Sequence, residues 1–425
     1  MDLPRGMKDF DNKEMTKIEF VRQKFLETAE IFGFKLMEPS PIELLSILEH
    51  QGGPDIRDEI YQFKDKGDRE VALRFDFTVG LTRYTASQKT LKLPAKFSSF
   101  GGVWRYDEPQ KGRYRFFHQW NIEIFGNLNL DYDAEIIEFT SRFFDNIGLE
   151  NIVIDINHRR VVQSHIDHVM SDMEAVGLSD LWRAMDKVQK KSKDKILQEY
   201  KGLYPPEKLE KILEFANIKG TPSEIQQKFD TSSLDGWDEL CTVYNSLKNR
   251  GVDNVRINFG IVRGLTYYDG IVFEAFDTTS DLGALVGGGR YDGLPGRAFN
   301  RKDLGAAGVA GGVERIILCL DAQGIVAWNP SIATVSVLYV NDELKARAIE
   351  CASKLRKLGI STSIDLIGKS LKKQMEISAD SKFCVIFAPK EFSDEQVVLR
   401  NMTDRTEKQI SIKELTTDPQ AVLNL

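Results

Sequence analysis

The sequence predicts a mixed α and β protein with a large α+β body, a helical insertion and a small α/β domain at its C-terminal end. Its 425 residues fit two or three domains of roughly 150 residues each. Turn-forming residues at 107–112 separate two alternating segments, which predicts a pair of antiparallel strands. Residues 160–250 are rich in Lys, Glu and Gln at helical spacing, and strands alternate with helices after Pro330.

The N-terminal elements alternate between helix and strand. Apolar residues at helical spacing predict a helix over 16–31, which Gly33 ends. Residues 34–37 predict a short strand, because Pro39 and Pro41 stop it. This part is completed by a strand at 71–75, a helix at 78–87 and a further strand around Phe97.

The remaining chain predicts the end of the body and a second domain. Strand and glycine patterns resume at Val255 and lead to an apolar helix around 313–320. The domain bounds that we expect are 1–325 for the body, about 160–250 for its insertion, 326–332 for a linker and 333–425 for the second domain. Within the second domain we expect strands at 333–340, 361–366 and 383–388, and helices at 343–358 and 370–379.

Composition and charge argue against several classes of protein. The chain has 57 Lys and Arg against 64 Asp and Glu, a net charge of −7, which argues against a protein that coats nucleic acid but allows local basic patches. It has no run of the roughly 18–20 apolar residues that a membrane span needs. Met1–Arg5 also lacks the apolar core of a signal peptide. We therefore expect a cytoplasmic protein that does not contact a membrane.

The cysteines and histidines form no metal-binding pattern. His165 and His168 are three residues apart, but no nearby Cys or His completes a zinc set. We expect no metal site held by protein side chains. The cysteines have no paired spacing, which favours free thiols in a reducing cytosol. They are Cys241, Cys319, Cys351 and Cys384.

A short part of the insertion is strongly basic. Two interpretations fit this pattern, a solvated helix face and a basic surface that contacts a polyanion. Within 183–195, the acidic residues are Asp186 and Asp194. The basic residues are Arg183, Lys187, Lys190, Lys191, Lys193 and Lys195.

The hairpin at 96–125 is the most informative segment. Alternate residues of a strand share a face, so the residues after the turn divide into a polar and an apolar set. The polar face would suit a substrate with anionic oxygens, a ring and a cationic amine, although a solvent-facing strand is an alternative. Arg105 and Asp107 precede the turn. The polar set is Arg113, Arg115, Phe117, Gln119, Asn121 and Glu123, and the apolar set is Phe116, Trp120, Ile122 and Ile124.

Two further segments combine glycines with arginines or tyrosines. Residues 262–270 place Arg263, Tyr267 and Tyr268 between glycines, and a strand at 271–276 follows. After an apolar strand, the run Gly287-Gly-Gly-Arg-Tyr-Asp292 would allow backbone to approach a ligand closely. Residues 311–315 place Arg315 in the first turns of an apolar helix, where a ligand contact and a helix-face ion pair are both possible.

These segments together resemble the class II aminoacyl-tRNA synthetases, and specifically the histidyl-tRNA synthetases. The resemblance covers almost the whole chain. The class II motifs are the segment running into Pro41-Ile-Glu43, the hairpin from Arg105 to Glu123, and Gly-Val-Glu-Arg ending at Arg315. The histidine-specific motifs are Arg263-Gly-Leu-x-Tyr-Tyr268 and Gly287-Gly-Gly-Arg-Tyr-Asp292, and the opening Pro4-Arg-Gly-Met-Lys-Asp-Phe10 is also similar.

The resemblance implies a fold, an activity and partners. The fold is an α+β catalytic domain on a mostly antiparallel sheet, with the insertion between the second and third motifs, followed by an α/β anticodon-binding domain. The activity is ATP-dependent activation of L-histidine and its transfer to the cognate tRNA, in a homodimer built through the first motif. Asp76 and Asp107 occur where bacterial relatives tend to have Glu, so the chain is closer to the archaeal and eukaryotic type.

The resemblance also implies roles in binding histidine. Asp76 and Thr78 resemble the pair that binds the ammonium group, with Gln119 beside that group and the carboxylate. Glu123 and Tyr268 resemble the residues that read the imidazole. This pair is chemically suited to that role, because a carboxylate accepts from one ring N–H while a phenol donates to the other nitrogen. The implied histidine-binding set is Asp76, Phe77, Thr78, Arg105, Gln119, Glu123, Arg263, Tyr267 and Tyr268.

For ATP, the resemblance implies a site built on arginines. Arg105 and Arg263 resemble the two arginines at the α-phosphate, and with Gln119 they form the implied catalytic set. Phe117 resembles the ring that stacks on adenine. Mg²⁺ would enter with ATP rather than bind a dedicated protein site. The implied ATP-binding set is Arg105, Asp107, Arg113, Phe117 and Arg315.

The sequence departs from the family pattern at two further positions and leaves two rival functions. Thr266 stands where the family usually has Asp, and Phe116 replaces a position that is usually polar. One rival is a non-catalytic paralogue such as the regulatory subunit of ATP phosphoribosyltransferase. The presence of all four motif arginines and of a full second domain argues against it. The other rival is a class II synthetase for another amino acid, which would need different readers at Glu123, Tyr267 and Tyr268.

Overall fold

The structure is a computed structural model. It describes residues 2–52, 54–106, 108, 114–126, 129–173, 178–188, 191–262, 267–325 and 333–424. The chain forms two compact units, Met1–Ala327 and Trp328–Leu425. The expected linker at 326–332 lies outside the described residues.

The strands of the larger unit are β1 (Lys35–Leu36), β2 (Ile42–Leu44), β3 (Gln62–Lys64), β4 (Glu70–Leu73), β5 (Ala95–Trp104), β6 (Phe116–Gly126), β7 (Ile152–His158), β8 (Lys219–Gly220), β9 (Val255–Asn258), β10 (Ile271–Asp277), β11 (Ala284–Arg290) and β12 (Gly305–Gly312). They form a nine-stranded sheet with the order β1-β5-β6-β12-β11-β10-β7-β9-β8 and a three-stranded sheet with the order β2-β4-β3. Within the larger sheet, only β1 with β5 and β7 with β9 pair in parallel among the described residues. The prediction of a mostly antiparallel sheet is therefore confirmed.

The helices of this unit pack around the large sheet or form the insertion. The predicted helix at 16–31 is confirmed as part of α1, which begins four residues earlier because Asp11 caps it and Glu14 completes a capping box. The helices are α1 (Asn12–Ile31), α2 (Leu45–Gly52), α3 (Thr78–Ser87), α4 (Asp131–Ile147), α5 (Arg159–Val169), α6 (Leu178–Asp186), α7 (Lys193–Glu199), α8 (Pro206–Ala216), α9 (Pro222–Gln226), α10 (Trp237–Asn249), α11 (Gly293–Phe299) and α12 (Val313–Gln323). A short 3₁₀ helix spans Pro54–Asp58.

An aromatic core fixes which way β6 faces. The ring of Trp120 lies 4.9 Å from that of Phe143 on α4 and 5.6 Å from that of Phe25 on α1, centroid to centroid. Trp120, Ile122 and Ile124 are all buried. The even-numbered residues of β6 therefore face these helices, as the alternation predicts, and its odd-numbered residues face the other side of the sheet.

The insertion is helical, as predicted, and it has its own small core. Its helices are α5 to α10, which lie between β7 and β9 in the chain. His165 stacks on Phe215 with ring centroids 3.9 Å apart, and burial lowers the pKa of His165 to about 4. This histidine is a neutral core residue.

The smaller unit is an α/β domain. Its elements are β13 (Val335–Tyr339), α13 (Asp342–Lys357), β14 (Thr362–Ile364), α14 (Leu371–Ile377), β15 (Phe383–Phe387), α15 (Pro389–Phe392), β16 (Gln396–Asn401), β17 (Glu407–Ser411), α16 (Ile412–Thr417) and α17 (Pro419–Leu423). Its five strands form one sheet with the order β14-β13-β15-β16-β17. The predicted alternation up to 388 is present in β13 to β15, which pair in parallel. The antiparallel pair β16 and β17 was not predicted. In neither unit does a described helix have the length and apolar character that crossing a bilayer requires.

Candidate active site

A cavity of about 870 Å³ in the larger unit brings together most of the residues that the resemblance singles out. Its wall includes β6, the turn before α3, β10 to β12 and the start of α12. The predicted residues that line it are Asp76, Thr78, Arg105, Phe117, Gln119, Glu123, Tyr267, Tyr268 and Arg315.

One predicted site residue lies away from this wall, and three others lie outside the described residues. Phe77 is fully buried in the core, where the guanidinium carbon of Arg74 lies 4.6 Å from its ring centroid. Asp107, Arg113 and Arg263 lie outside the described residues, as does Thr266.

A row of hydrogen-bonded polar side chains runs along the inner face of β6. Arg105 donates from Nη2 to Gln119 Oε1 at 3.2 Å, and Gln119 Nε2 donates to Asn121 Oδ1 at 3.4 Å. Asn121 Nδ2 in turn donates to Glu123 Oε1 at 2.6 Å. Gln119, Asn121 and Glu123 are all buried. The row joins a cationic group at one end to a carboxylate at the other. Gln119, Asn121 and Glu123 can form it because alternate residues of β6 share one face of the strand.

Glu123 is a strongly perturbed carboxyl group of the cavity. Burial raises its pKa to about 7, although hydrogen bonds from Tyr291, Thr78 and Asn121 act to lower that pKa. Thr78 Oγ1 donates to Glu123 Oε1 at 2.7 Å, and the hydroxyl of Tyr291 donates to Oε2. All three of these donors are neutral, so the hydrogen bonds that Glu123 accepts from described residues stabilise its charge through dipoles.

The turn before α3 holds two of the predicted histidine-binding residues. Asp76 Oδ1 accepts from the backbone N–H of Thr78 at 3.0 Å, and both residues are buried. Thr78 is the first residue of α3, so the positive end of this helix lies near Glu123. Asp76 raises the pKa of Glu123, because the two carboxyl groups repel each other when both are charged.

Three tyrosines form the wall beside Glu123. The hydroxyl of Tyr267 donates to that of Tyr268 at 3.1 Å, and their ring centroids lie 4.4 Å apart. The ring of Tyr291 packs edge-on against that of Tyr267, at 5.5 Å between centroids. Tyr291 was not among the predicted site residues, although it belongs to the glycine-rich run that pointed to this region. Asn121 was also missed as a site residue, although the alternation placed it on the correct face.

The other part of the cavity holds Arg105, Phe117 and Arg315. Arg105 Nε donates to the carbonyl oxygen of Phe75 at 3.0 Å, and its guanidinium carbon lies 5.1 Å from the ring centroid of Phe117. Arg315 Nη1 donates to the carbonyl oxygen of Ala284. A guanidinium group beside an aromatic ring suits a ligand with a phosphate and a base.

The glycine run at 287–289 was predicted to follow a strand, but it forms part of strand β11. The Cβ of an alanine at Gly288 would lie 2.6 Å from the ring of Phe273, and one at Gly289 would lie 2.9 Å from the ring of Tyr268. The nearest atoms to the two Cβ positions, at 2.5 Å, are the carbonyl oxygens of Gly308 and Ile271, so these glycines make room both for neighbouring backbone and for aromatic rings next to the cavity. On β12, the Cβ of an alanine at Gly308 would overlap the carboxylate of Glu123.

Two other arginines of the sequence motifs, Arg290 and Arg115, contact protein side chains. Arg290 of the glycine-rich run is buried and pairs with Asp133, from Nε to Oδ2 at 3.0 Å, and with Asp292 at 3.3 Å. Arg115 lies over the ring of Tyr106, with 3.8 Å from its guanidinium carbon to the ring centroid. Among the described residues, no group of three or more His, Cys, Asp or Glu side chains could hold a metal ion.

The chain matches two family models. The model described as histidyl-tRNA synthetase matches residues 6–316, and that described as an anticodon-binding domain matches 334–418. The chain is 32% identical to the histidine–tRNA ligase of Pyrococcus furiosus over 97% of its own length and 96% of that protein. This relative is archaeal, in agreement with the residues at Asp76 and Asp107.

Two solved structures show the same fold. Histidyl-tRNA synthetase from Nostoc sp. PCC 7120 superposes with a TM-score of 0.79 at 24% identity, covering 99% of each chain. An ATP phosphoribosyltransferase regulatory subunit/histidyl-tRNA synthetase from Bacillus halodurans superposes with a TM-score of 0.74 at 19% identity, covering 91% of this chain and 98% of that one. The match of residues 6–316 to the first family model and the identity to an archaeal relative over nearly the full length of both chains go beyond fold. The chain belongs to the histidyl-tRNA synthetase family.

Proposed function

We propose that this protein charges its cognate tRNA with histidine in two steps. In the first step, L-histidine and ATP form histidyl-adenylate and pyrophosphate. In the second, the 3′-hydroxyl of the terminal tRNA adenosine attacks the adenylate carbonyl and takes the histidyl group. The observation that carries the proposal is the row from Arg105 to Glu123, because it joins a cation suited to phosphate to a buried carboxylate suited to an imidazole within one cavity.

In this proposal, the Glu123 end of the cavity binds histidine. Glu123 accepts from one imidazole N–H, and Tyr268, which accepts a hydrogen bond from Tyr267, donates its own proton to the other ring nitrogen. Asp76 and Thr78 bind the ammonium group, with Gln119 beside it. An amino acid that lacks either ring nitrogen would leave a buried polar group unpaired, which is a strong basis for rejection.

The Arg105 end binds ATP, with Mg²⁺ entering as part of that substrate. Phe117 stacks on the adenine, and Arg315 binds an outer phosphate. We also assign Arg113 to the outer phosphates, Asp107 to the ATP site and Arg263 to the α-phosphate, on the family resemblance alone.

The chemistry requires no covalent enzyme intermediate. The histidine carboxylate attacks the α-phosphorus in line, a P–O bond forms, and the bond to the pyrophosphate oxygen breaks. Negative charge that develops at the α-phosphate is stabilised by the fixed guanidinium of Arg105, together with Arg263. Gln119 positions Arg105 and the substrate carboxylate relative to each other.

We further propose a cytoplasmic homodimer built through the first class II motif. Three apolar residues in and next to that motif support an interface, because Leu36 is 58% exposed and Ile42 and Leu44 are each 44% exposed. The four cysteines are all free, as expected of a protein in a reducing compartment.

The proposed reaction is tested by ATP–pyrophosphate exchange with each of the twenty amino acids, followed by charging of bulk tRNA. We expect exchange with histidine alone and labelling of a single tRNA species, because the site offers a donor and an acceptor at the spacing of one neutral imidazole. Absence of exchange with every amino acid would support the non-catalytic paralogue. Exchange with a different amino acid would support the other rival.

The basic segment of the insertion provides a separate prediction about tRNA. Lys191 and Lys193 of this segment are ion-paired, since Lys191 lies 2.8 Å from Glu199, and Lys193 lies 2.9 Å from Glu214 and also pairs with Glu210. This pairing favours the solvated face over a polyanion-binding surface. Replacing Lys191 and Lys193 by alanine should leave the tRNA affinity and its salt dependence unchanged in a filter-binding titration from low to high salt.

The matched control for this prediction is a pair of lysines in the smaller unit. Lys369 lies two residues before the start of α14, and Lys372 is the second residue of that helix, in the anticodon-binding domain. Their double alanine variant should weaken tRNA binding and reduce the salt slope by about 1 for each phosphate group that the variant no longer neutralises. An equal reduction in the Lys191/Lys193 variant would restore the interpretation of the insertion segment as a tRNA-binding surface.

A further inference from the structure

The two oxygens of the Glu123 carboxylate have unequal surroundings. Oε1 accepts from Thr78 at 2.7 Å and from Asn121 at 2.6 Å, so both of its lone pairs have partners. Oε2 accepts from the hydroxyl of Tyr291 and has capacity for a second donor. The oxygen that remains for a ligand N–H is therefore Oε2, the one that Tyr291 contacts.

Tyr291 is held rigidly by its own surroundings. It is 1% exposed, and its backbone N–H donates to the carbonyl oxygen of Ala306 at 2.8 Å. Its ring packs against Tyr267 and Tyr268 at centroid distances of 5.5 and 6.4 Å. Because its backbone and ring are fixed in this way, its hydroxyl is directed toward Glu123.

We propose that Tyr291 is a positioning residue that aims Glu123 Oε2 at the imidazole and keeps this carboxylate ionised, so that Tyr291 sets the pH range over which histidine is recognised. The inference rests on the proposed function and deepens it. Tyr291 acts through Glu123 and is not assigned a role in the chemical step.

The groups around Glu123 explain why one hydroxyl has this effect. Burial and the like charge of Asp76 raise the pKa of Glu123, and the hydrogen bonds from Tyr291, Thr78 and Asn121 oppose that rise. Among the described residues of this wall, the other titratable groups are Tyr267 and Tyr268, and Gln119 and Asn121 separate Arg105 from Glu123 in the hydrogen-bonded row. Removing the Tyr291 hydroxyl leaves donors on Oε1 alone and raises the pKa of Glu123 further.

The direction of the pH effect follows from which form binds histidine. The neutral imidazole needs an acceptor at Glu123, so recognition is lost as the pH falls through the pKa of Glu123. A higher pKa moves this loss to a higher pH. The imidazole of the substrate also gains a proton at low pH, but its pKa in solution is the same for every variant, so a difference between variants reports the enzyme.

The test is the Tyr291→Phe variant, measured by histidine-dependent ATP–pyrophosphate exchange between pH 6 and pH 9. We expect the acid limb of kcat/KM for histidine to move up by about one pH unit and KM for histidine at pH 7 to rise about fivefold. At pH 9, kcat and KM for ATP should stay within about twofold of the wild-type values, because Glu123 is ionised there in both proteins. Tyr244→Phe, at a buried tyrosine on α10, is the matched control and should change neither profile.

A second readout does not depend on catalysis. Infrared difference spectra over the same pH range should show the protonated-carboxyl band of Glu123, identified by its loss in Glu123→Gln, appearing at higher pH in Tyr291→Phe than in the wild-type protein. Acid limbs and bands that coincide in the two proteins would overturn the proposal, as would equal rises in KM for histidine and ATP. Failure of the proposed function would be seen in the wild-type chain, as exchange that histidine does not stimulate.

Discussion

Replacing Gly308 with alanine is expected to reduce kcat/KM for histidine by at least about a hundredfold in ATP–pyrophosphate exchange. Gly308 on β12 is the direct cross-strand partner of Glu123 on β6. An added Cβ would overlap the carboxylate of Glu123, so that side chain has to leave its position and its hydrogen bonds to Thr78, Asn121 and Tyr291. The site would then lose the acceptor that reads the imidazole.

The measurement separates recognition from folding and from ATP binding. KM for ATP should change far less than KM for histidine, because the Arg105 end of the cavity is built from other contacts. Gly296→Ala is the matched control, since its Cβ on α11 would lie at an ordinary 3.4 Å from the side chain of Lys302. A Gly308→Ala enzyme with the wild-type KM for histidine would show that Glu123 does not read the substrate.

The inner face of β6 could be predicted from the sequence because its determinants are local. Turn residues at 107–112 separate two segments whose period of two distinguishes a polar from an apolar face. The structure pairs Trp104 with Phe116 and places Gln119 and Glu123 together at the cavity. Residues two apart on a strand share a face in any fold, so this part of the site could be predicted without knowledge of the tertiary structure.

The contacts that control Glu123 could not be predicted in the same way. Tyr291 is 168 residues from Glu123 in the chain, and their contact depends on the order β6-β12-β11 in the sheet. Nothing local in the sequence specifies which strand lies beside β6 or in which register. The role of Gly308 depends on the same register, since a shift of one residue would turn its Cβ position to the other face.

The surface was also less predictable than the core. The lysines near 190 suggest a basic patch because the sequence does not show that Glu199, Glu210 and Glu214 fold back beside them. In the smaller unit, β17 was missed because three of its five residues are exposed and the apolar alternation is weak. Helix α13 and strand β13, each with a buried face, were predicted within two residues at each end.

The second large effect is expected at Arg105. Changing it to alanine should lower the rate of histidyl-adenylate formation by about a hundredfold to a thousandfold. The carbonyl oxygen of Phe75 and the amide of Gln119 hold its guanidinium in place before any ligand binds, at 3.0 and 3.2 Å. A preorganised cation stabilises the charge that develops at the α-phosphate without the cost of reorganisation. The rate is measured in a single turnover with enzyme in excess over ATP.

Arg105→Lys separates the charge of this residue from its geometry. A lysine keeps the positive charge but cannot donate at the same time to Phe75, Gln119 and a phosphate oxygen along the fixed directions of a guanidinium. We therefore expect Arg105→Lys to recover only a small part of the rate lost in Arg105→Ala. Arg69→Ala, at an exposed arginine paired with Asp65, is the control and should keep the wild-type rate. A lysine variant close to wild type would mean that net positive charge alone is sufficient, and an alanine variant close to wild type would remove Arg105 from the catalytic set.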